Sequence, residues 1–344
     1  MVPRRVPIPL KDVLQKKLDE MITQEIIEPV DEASEWYAPM VIVPKKQGDI
    51  RICVDISELN KSIQRETYPM ASVDYTLREF NNAKILSIID ANSGFWQIML
   101  HPESSAFTTL IAPFGRFKFK RVPFGISYGP EVSQKRIREC LKGLNGVVGL
   151  MDEFVVYGET EKEHDERLYQ VLQRLQDSGW TLNAEKCQFR KKSIKFLGHI
   201  ISADGICPDP TKTEAIKKMS QPTNITELKR FLGMMNFFRK FVPNLTDMAE
   251  PLHAMLKADA TWTWGPKEKA LGRIKESLCN PPVLTLYDCK KSVYLSADAS
   301  SYGIGAMLYQ IKNSSKLPIA YASRTLSATE RGYAQTEKEA LVVV

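Results

Sequence analysis

Two short apolar runs, Val147-Val148-Gly149-Leu150-Met151 and Phe154-Val155-Val156-Tyr157, flank the acidic pair Asp152-Glu153, and this stretch constrains the chain more than any other. Segments of this length rich in β-branched and aromatic residues favour strands. A charged pair between two of them reads as a hairpin whose turn presents both acids to solvent or to a cation. Asp90 closes a similar run, Ile85-Leu86-Ser87-Ile88-Ile89. An acid ending one strand can meet the acids of a neighbouring hairpin, and three convergent carboxylates suit a pair of divalent ions that activate a hydroxyl and steady a leaving phosphate. Acids are also common in tight turns for backbone reasons alone. The rest of the chain has to decide between these readings.

With 344 residues, the chain has room for two or more domains at the usual size of about 100–200 residues each. Its 43% hydrophobic and 26% charged content matches soluble globular proteins rather than disordered or membrane chains. No apolar run approaches a membrane span, and the basic start Met1-Val2-Pro3-Arg4-Arg5 is not followed by the apolar core of an export signal. Cys53, Cys140, Cys187, Cys207, Cys279 and Cys289 show no Cys-x-x-Cys spacing, which fits reduced thiols in a cytoplasmic or nuclear setting. A net charge of +6 permits a polyanionic partner without requiring one.

Leu10, Val13, Leu14, Leu18, Met21, Ile22 and Ile26 recur at helical spacing, with Lys16, Lys17, Asp19 and Glu20 between them. Pro39 to Val43 and Ile50 to Val54 read as two strands joined by the basic hairpin Lys45-Lys46-Gln47-Gly48-Asp49. Small strands punctuated by Pro113, Gly115 and Pro123 lead to a helical pattern after Gly129-Pro130, and a further helix through His164, Leu168, Val171 and Leu175 ends near Gly179. Sheet and helices are mixed rather than strictly alternating. Past Pro208 the texture turns helical. Asn224-Ile225-Thr226-Glu227 has capping-box spacing, and the helix it starts runs through Leu228, Phe231, Leu232, Met235, Phe238 and Phe241 to Pro243. Lys229, Arg230, Arg239 and Lys240 suit a solvated face or phosphate contacts equally well. After Trp262-Thr263-Trp264, the strand-like Ser292 to Ala297 ends at Asp298, and Gly303 to Leu308 returns beside it.

The ordered motifs identify a family. Arg51-Ile52-Cys53-Val54-Asp55, Leu59-Asn60-Lys61, Asp90-Ala91-Asn92-Ser93-Gly94-Phe95-Trp96-Gln97-Ile98, Val122-Pro123-Phe124-Gly125, Asn183-Ala184-Glu185-Lys186-Cys187, Phe196-Leu197-Gly198-His199, Phe231-Leu232-Gly233, Asp298-Ala299-Ser300 and Thr336-Glu337-Lys338-Glu339 run nearly end to end. Together they resemble the reverse transcriptase region of gypsy-class long-terminal-repeat retrotransposons, followed by the start of their ribonuclease H domain. The resemblance implies an α+β right-hand polymerase: fingers and palm over 1–208, a helical thumb over 209–258, and a partial RNase H-like α/β domain over 259–344.

That likeness also implies roles. Asp90 and Asp152 match aspartates that hold two Mg²⁺ ions, with Mn²⁺ as a substitute, against a primer 3′-hydroxyl and an incoming dNTP; Glu153 stands at the third carboxylate position. Lys46, with Lys45 as its understudy, and Arg51 match residues gripping the triphosphate. Phe95 matches the aromatic position that excludes a 2′-hydroxyl, although its residue type alone suggests a core aromatic. Phe124 and Gly125 would line the nucleotide pocket, Leu197-Gly198 would position the primer end, and Lys229 and Arg230 would contact primer or template. The implied partners are an RNA or DNA template with its primer and dNTPs, without a membrane; family members often act as homodimers.

Departures from the pattern qualify the activity. The hairpin reads Leu150-Met151-Asp152-Glu153 where the family has Tyr, an apolar residue and Asp-Asp. Glutamate reaches one methylene further, Mg²⁺ tolerates geometric error poorly, and a misplacement of about an ångström can cost on the order of a hundredfold in rate. Ser57 replaces a usual arginine, and Glu131 and Ser133 replace an alanine and a phenylalanine. Two readings follow: an RNA-directed DNA polymerase weakened at Glu153, or a catalytically impaired nucleic-acid-binding remnant. In the RNase H part, Asp298 and Glu339 match two metal-binding acids, and the sequence to Val344 lacks the later ones, so no RNA-strand cleavage is expected.

Overall fold

A computed structural model describes the chain except residues 1–5, 33–35, 45–49, 66–67, 258–259 and 280. The basic finger Lys45 to Asp49, and with it Lys46, lies outside the described residues. The backbone divides into two interleaved compact units: residues 1–72, 87–157 and 162–189 in the first, and 73–86, 158–161 and 190–344 in the second. No helix among the described residues is long and apolar enough to cross a membrane.

The first unit has two sheets. Helix Lys11–Thr23 buries Leu14, Leu18 and Met21, spaced three and four residues apart along one face. They pack with Ile27, Ile50, Ile52, Leu110 and Phe119. Those side chains belong to a five-stranded sheet ordered Ile27–Pro29, Gly115–Phe119, Leu110–Ala112, Ala38–Pro44 and Ile50–Val54. The last two strands pair antiparallel, Val43 opposite Arg51, as the basic hairpin reading requires. A second sheet is ordered Val147–Leu150, Glu153–Gly158, Ile85–Asp90 and Gln188–Lys191. Ile89, Phe154 and Val156 from its strands meet Ile137 and Cys140 of helix Gly129–Leu141 and Val171 and Leu175 of helix Glu161–Asp177. Pro130 fits the first turn of its helix, where a missing N–H costs nothing. Gly179, at φ 72°, turns the chain after the other helix.

The second unit contains a three-stranded meander, Ser193–Phe196, His199–Ser202 and Gly205–Pro208. Helices Pro210–Lys218, Ile225–Phe237, Leu245–Ala254 and Pro266–Cys279 follow. Asn224 caps its helix by accepting from the Glu227 N–H at 2.9 Å. The reciprocal half of the expected capping box is shifted by one residue, because Glu227 accepts from the N–H of Thr223, not Asn224. The helix also stops at Phe237, and Arg239–Phe241 continues as a tighter 3₁₀ turn. A second antiparallel sheet, Tyr294–Ala299, Gly303–Lys312 and Ser315–Thr325, closes the unit with helices Ala328–Arg331 and Gln335–Val343. Asp298 is the penultimate residue inside its strand and not the cap beyond it, since pairing with Gly305 extends the ladder to Ala299.

Candidate active site

The hairpin forms with a two-residue loop. Leu150 pairs directly with Glu153, leaving Met151 and Asp152 as the turn. Glu153 is therefore the first residue of a strand, not a turn residue as the sequence reading had it. Met151 has φ 57° while Asp152 is not among the positive-φ residues. This sign pattern belongs to a type II′ turn, which glycine would occupy without strain. A non-glycine residue in that region costs about 1–3 kcal/mol, and such strain collects at functional sites.

Asp90 ends its strand as expected and is only 6% exposed, whereas Asp152 is exposed. The two loops are stitched by backbone: the Ala91 N–H donates to the Asp152 carbonyl at 2.7 Å. Gly94 lies against the same place, where a Cβ would come 3.1 Å from that of Asp152. On the other side, the Asn183 N–H donates to the Asp90 carbonyl at 2.8 Å and the Asn92 N–H to the Thr181 carbonyl at 2.9 Å. Gln97 reinforces this seam, its side-chain nitrogen donating to the Asn92 and Thr181 carbonyls and its oxygen accepting from the Thr181 N–H.

The electrostatics follow from this crowding. Burial pushes the Glu153 carboxyl above the usual carboxylate range, and the nearby charges of Asp152 and Asp90 push it further, with Lys186 opposing. Lys186 is the standing countercharge: its Nζ donates to both Asp90 oxygens at 3.1 and 3.2 Å. Among the described residues no group of three or more His, Cys, Asp or Glu is arranged to hold a metal ion. The donor set still fits one, because mutually repelling hard oxygen ligands are relieved by a divalent cation.

Beside the turn is a cavity of about 710 Å³. Lys17, Arg51, Arg121 and Lys186 line it together with Asp152, the one acid among the described lining residues. Such a cavity favours a polyanion. Arg51 and Phe124 meet there, the guanidinium 5.2 Å from the ring centroid. Phe95 stands edge-on to Phe124 at 5.4 Å and is half-buried, packed against the apolar core of the first unit. Gly125 takes φ 113°, where a Cβ would press to 3.0 Å from the Val54 carbonyl. Asn60 fastens that loop, donating to the Gly125 carbonyl and accepting from the Ser127 N–H, both at 2.9 Å.

Glu131 is not a misplaced core charge. It forms an ion pair with Arg65, whose hydrogen bond holds the carboxyl below its usual range. Ser57 donates to Asp55 at 2.7 Å. Leu197 and Gly198, at φ 50° and 76°, form the tight turn expected between two strands of the second unit. Lys229 and Arg230 are exposed on their helix, as are Asp298 and Glu339 elsewhere in that unit. Sequence reasoning assigned no role to Gln97, Arg121 or Gln134. Only their tertiary partners reveal them.

Residues 43–201 match the family model for reverse transcriptase, RNA-dependent DNA polymerase. Residues 262–344 match that of an RNase H-like domain found in reverse transcriptase. The Retrovirus-related Pol polyprotein from transposon opus of Drosophila melanogaster is 34% identical over 98% of the chain. The Transposon Tf2-7 polyprotein of Schizosaccharomyces pombe is 32% identical over 89%. The chain spans only 35% and 23% of those two polyproteins. A foamy viral protease-reverse transcriptase solved in complex with double-stranded DNA shares the fold: TM-score 0.91 at 24% identity, over 100% of this chain and 60% of that one. Reverse transcriptases as a family generally depend on divalent metal. The chain belongs to the reverse transcriptase family, with the polymerase domain followed by an RNase H-like domain as in long-terminal-repeat retrotransposon polyproteins.

Proposed function

We propose that this chain is the polymerase region of a retrotransposon polyprotein and extends a primer 3′-hydroxyl with dNTPs on an RNA or DNA template. Fingers and palm would occupy 1–208, the thumb 209–258 and the RNase H-like part 259–344. The observation that carries the reading is the seam between a buried strand-end aspartate and a strained acidic turn, the Ala91 N–H bonded to the Asp152 carbonyl. It brings two acids from segments 62 residues apart to one place beside a cationic cavity.

Asp90 and Asp152 would hold two Mg²⁺ ions, which when bound lower the pKa of the attacking hydroxyl and stabilise the leaving phosphate. Arg51 and Arg121 offer fixed positive charge to the triphosphate in the cavity, where stabilising charge that builds in the transition state counts most. Phe95 and Phe124, packed edge to face, give the sugar a rigid wall. Glu153 holds its proton more tightly than an ordinary carboxylate, so it would meet a cation more weakly than an ordinary carboxylate does. That favours a slowed polymerase, and the remnant that binds without chemistry is its rival. Primer extension by the chain beside a Glu153→Asp variant separates them. Extension by the chain, faster in the variant by about tenfold, supports the polymerase. If neither extends while Asp90→Asn leaves duplex binding unchanged, the remnant reading stands.

A further inference from the structure

Gln134 projects from helix Gly129–Leu141 and is 7% exposed. Both ends of its amide go to the acidic hairpin. Nε2 donates to the Gly149 carbonyl at 2.9 Å, and Oε1 accepts from the Met151 N–H at 3.1 Å. The two contacts bracket Leu150 and fix the strand where it enters the turn. An amide side chain carries a donor and an acceptor on one planar group. Asparagine would fall one methylene short of the hairpin, and a carboxylate would set its lone pairs against the Gly149 carbonyl.

Neighbouring packing makes the contact possible. Gly149 lies so close to the helix that a Cβ there would stand 2.4 Å from Ile137 Cγ2 and 2.8 Å from Leu141 Cδ1. The strand backbone is thus drawn within reach of a side chain rooted on the same helix. Met151, whose N–H is gripped, is the residue with φ 57°, and Asp152 follows it. Asp152 is held from its far side by the Ala91 N–H. The turn has one anchor on each flank: Ala91, beside Asp90, and Gln134.

We propose that Gln134 is a positioning residue that holds the strained turn in the conformation placing the Asp152 carboxylate opposite Asp90. It touches no reacting atom and acts through the backbone of Met151. Met151 is itself exposed on the turn and stands outside the buried apolar cluster of the sheet. The cost of losing the Gln134 side chain then falls on geometry more than on folding. The kinetic consequence rests on the polymerase reading above, whereas the clamp itself does not.

The test therefore has two arms, using Gln134→Met, an apolar side chain of similar length, and Gln134→Glu, which keeps the acceptor and forfeits the donor. In hydrogen exchange, Gln134→Met should speed exchange of the Met151 amide by about tenfold while the strand amides of Phe154 to Val156 keep their protection. Gln134→Glu should leave the Met151 amide closer to the parent chain. In primer extension, kcat should fall by about ten- to a hundredfold in Gln134→Met, with KM for dNTP and duplex affinity within about threefold of the parent. Unchanged Met151 exchange in a folded Gln134→Met protein overturns the proposal. So does a fall in thermal stability with kcat intact. If the parent chain fails to extend, the polymerase reading fails, and the exchange arm still decides the clamp.

Discussion

The acidic hairpin of the first unit and the strand carrying Asp298 in the second each bear an acid near a strand end, and they are built in opposite ways. Asp90 is 6% exposed, paired with Lys186, and tied through its loop to the hairpin by the Ala91 N–H. Asp298 lies on a strand exposed from Tyr294 through Asp298, and Glu339 is exposed on a helix whose Gln335 reaches the Ala299 carbonyl at 2.7 Å. Charge alone does not make a ligand site. In the first region, backbone hydrogen bonds hold the segments that carry Asp90 and Asp152 against each other.

The largest expected effect tests that contrast directly. Asp90→Asn should lower primer extension by on the order of a thousandfold, the loss of a metal ligand's several kcal/mol in the transition state. Asp298→Asn should change it by less than about twofold, in line with an exposed substitution away from the reacting groups. Comparable losses in the two variants, measured side by side on one primer-template, would break the comparison.

Much of this architecture was legible in the sequence because it is local. The two β runs around Asp152, the strand ended by Asp90 and the Leu197-Gly198 turn each follow from a few adjacent residues. Glu153 was misplaced because the length of a hairpin loop depends on register: once Leu150 pairs with Glu153, two residues remain for the turn. What no local pattern could show are partnerships across long separations. Lys186 meets Asp90 96 residues away, Gln97 reaches Thr181 across 84, and Arg65 neutralises Glu131 across 66. A glutamine in a helical pattern looks the same whether it faces water or an acidic turn.

The second unit has its own buried titratable group, which sharpens the contrast. His199 is 1% exposed and lies between Phe237 and Phe241, with ring centroids at 5.5 and 5.7 Å. Its Nδ1 donates to the Leu197 carbonyl at 2.9 Å, and its Nε2 is buried with no hydrogen-bond partner among the described residues. Burial lowers its pKa to about 4, with the positive charge of Lys240 adding to the effect. The unfolded chain therefore takes up a proton near pH 6.5 that the folded chain refuses until about pH 4. Stability from this group is full above pH 6.5 and is lost as pH falls toward 4, by about 3 kcal/mol at most. Urea midpoints of the parent and His199→Phe at pH 7 and pH 5 isolate it. An equal acid loss in both proteins would mean that His199 is not the buried group responsible.

A smaller effect concerns Lys186. Its side chain is 62% exposed while that of Asp90 is 8% exposed, so the pair contributes modestly, and its ammonium competes with any cation approaching Asp90. Lys186→Met should bind Mn²⁺ about fivefold more tightly, equivalent to roughly 1 kcal/mol, as read by electron paramagnetic resonance. In both proteins binding should weaken as pH falls through the raised pKa of Glu153, because proton and ion compete for that carboxylate. Weaker binding in Lys186→Met would make the lysine a support of the site and not its countercharge.

The smallest effect lies at Glu131, the departure that looked most damaging in the sequence. One of its oxygens pairs with Arg65, which is 58% exposed, and the other is buried without a hydrogen-bond partner among the described residues. The gain from an exposed guanidinium is about 0–1 kcal/mol, and desolvating the second oxygen works against it. These contributions nearly cancel, so Glu131→Ala should shift stability by less than about 1 kcal/mol in either direction and leave primer extension within about twofold. A loss of several kcal/mol in urea unfolding would mean that the Arg65 pair supports the start of the helix bearing Gln134. In that case the ion pair would belong to the same positioning apparatus as the acidic turn, and the boundary between built and merely charged regions would have to be drawn around Glu131 as well.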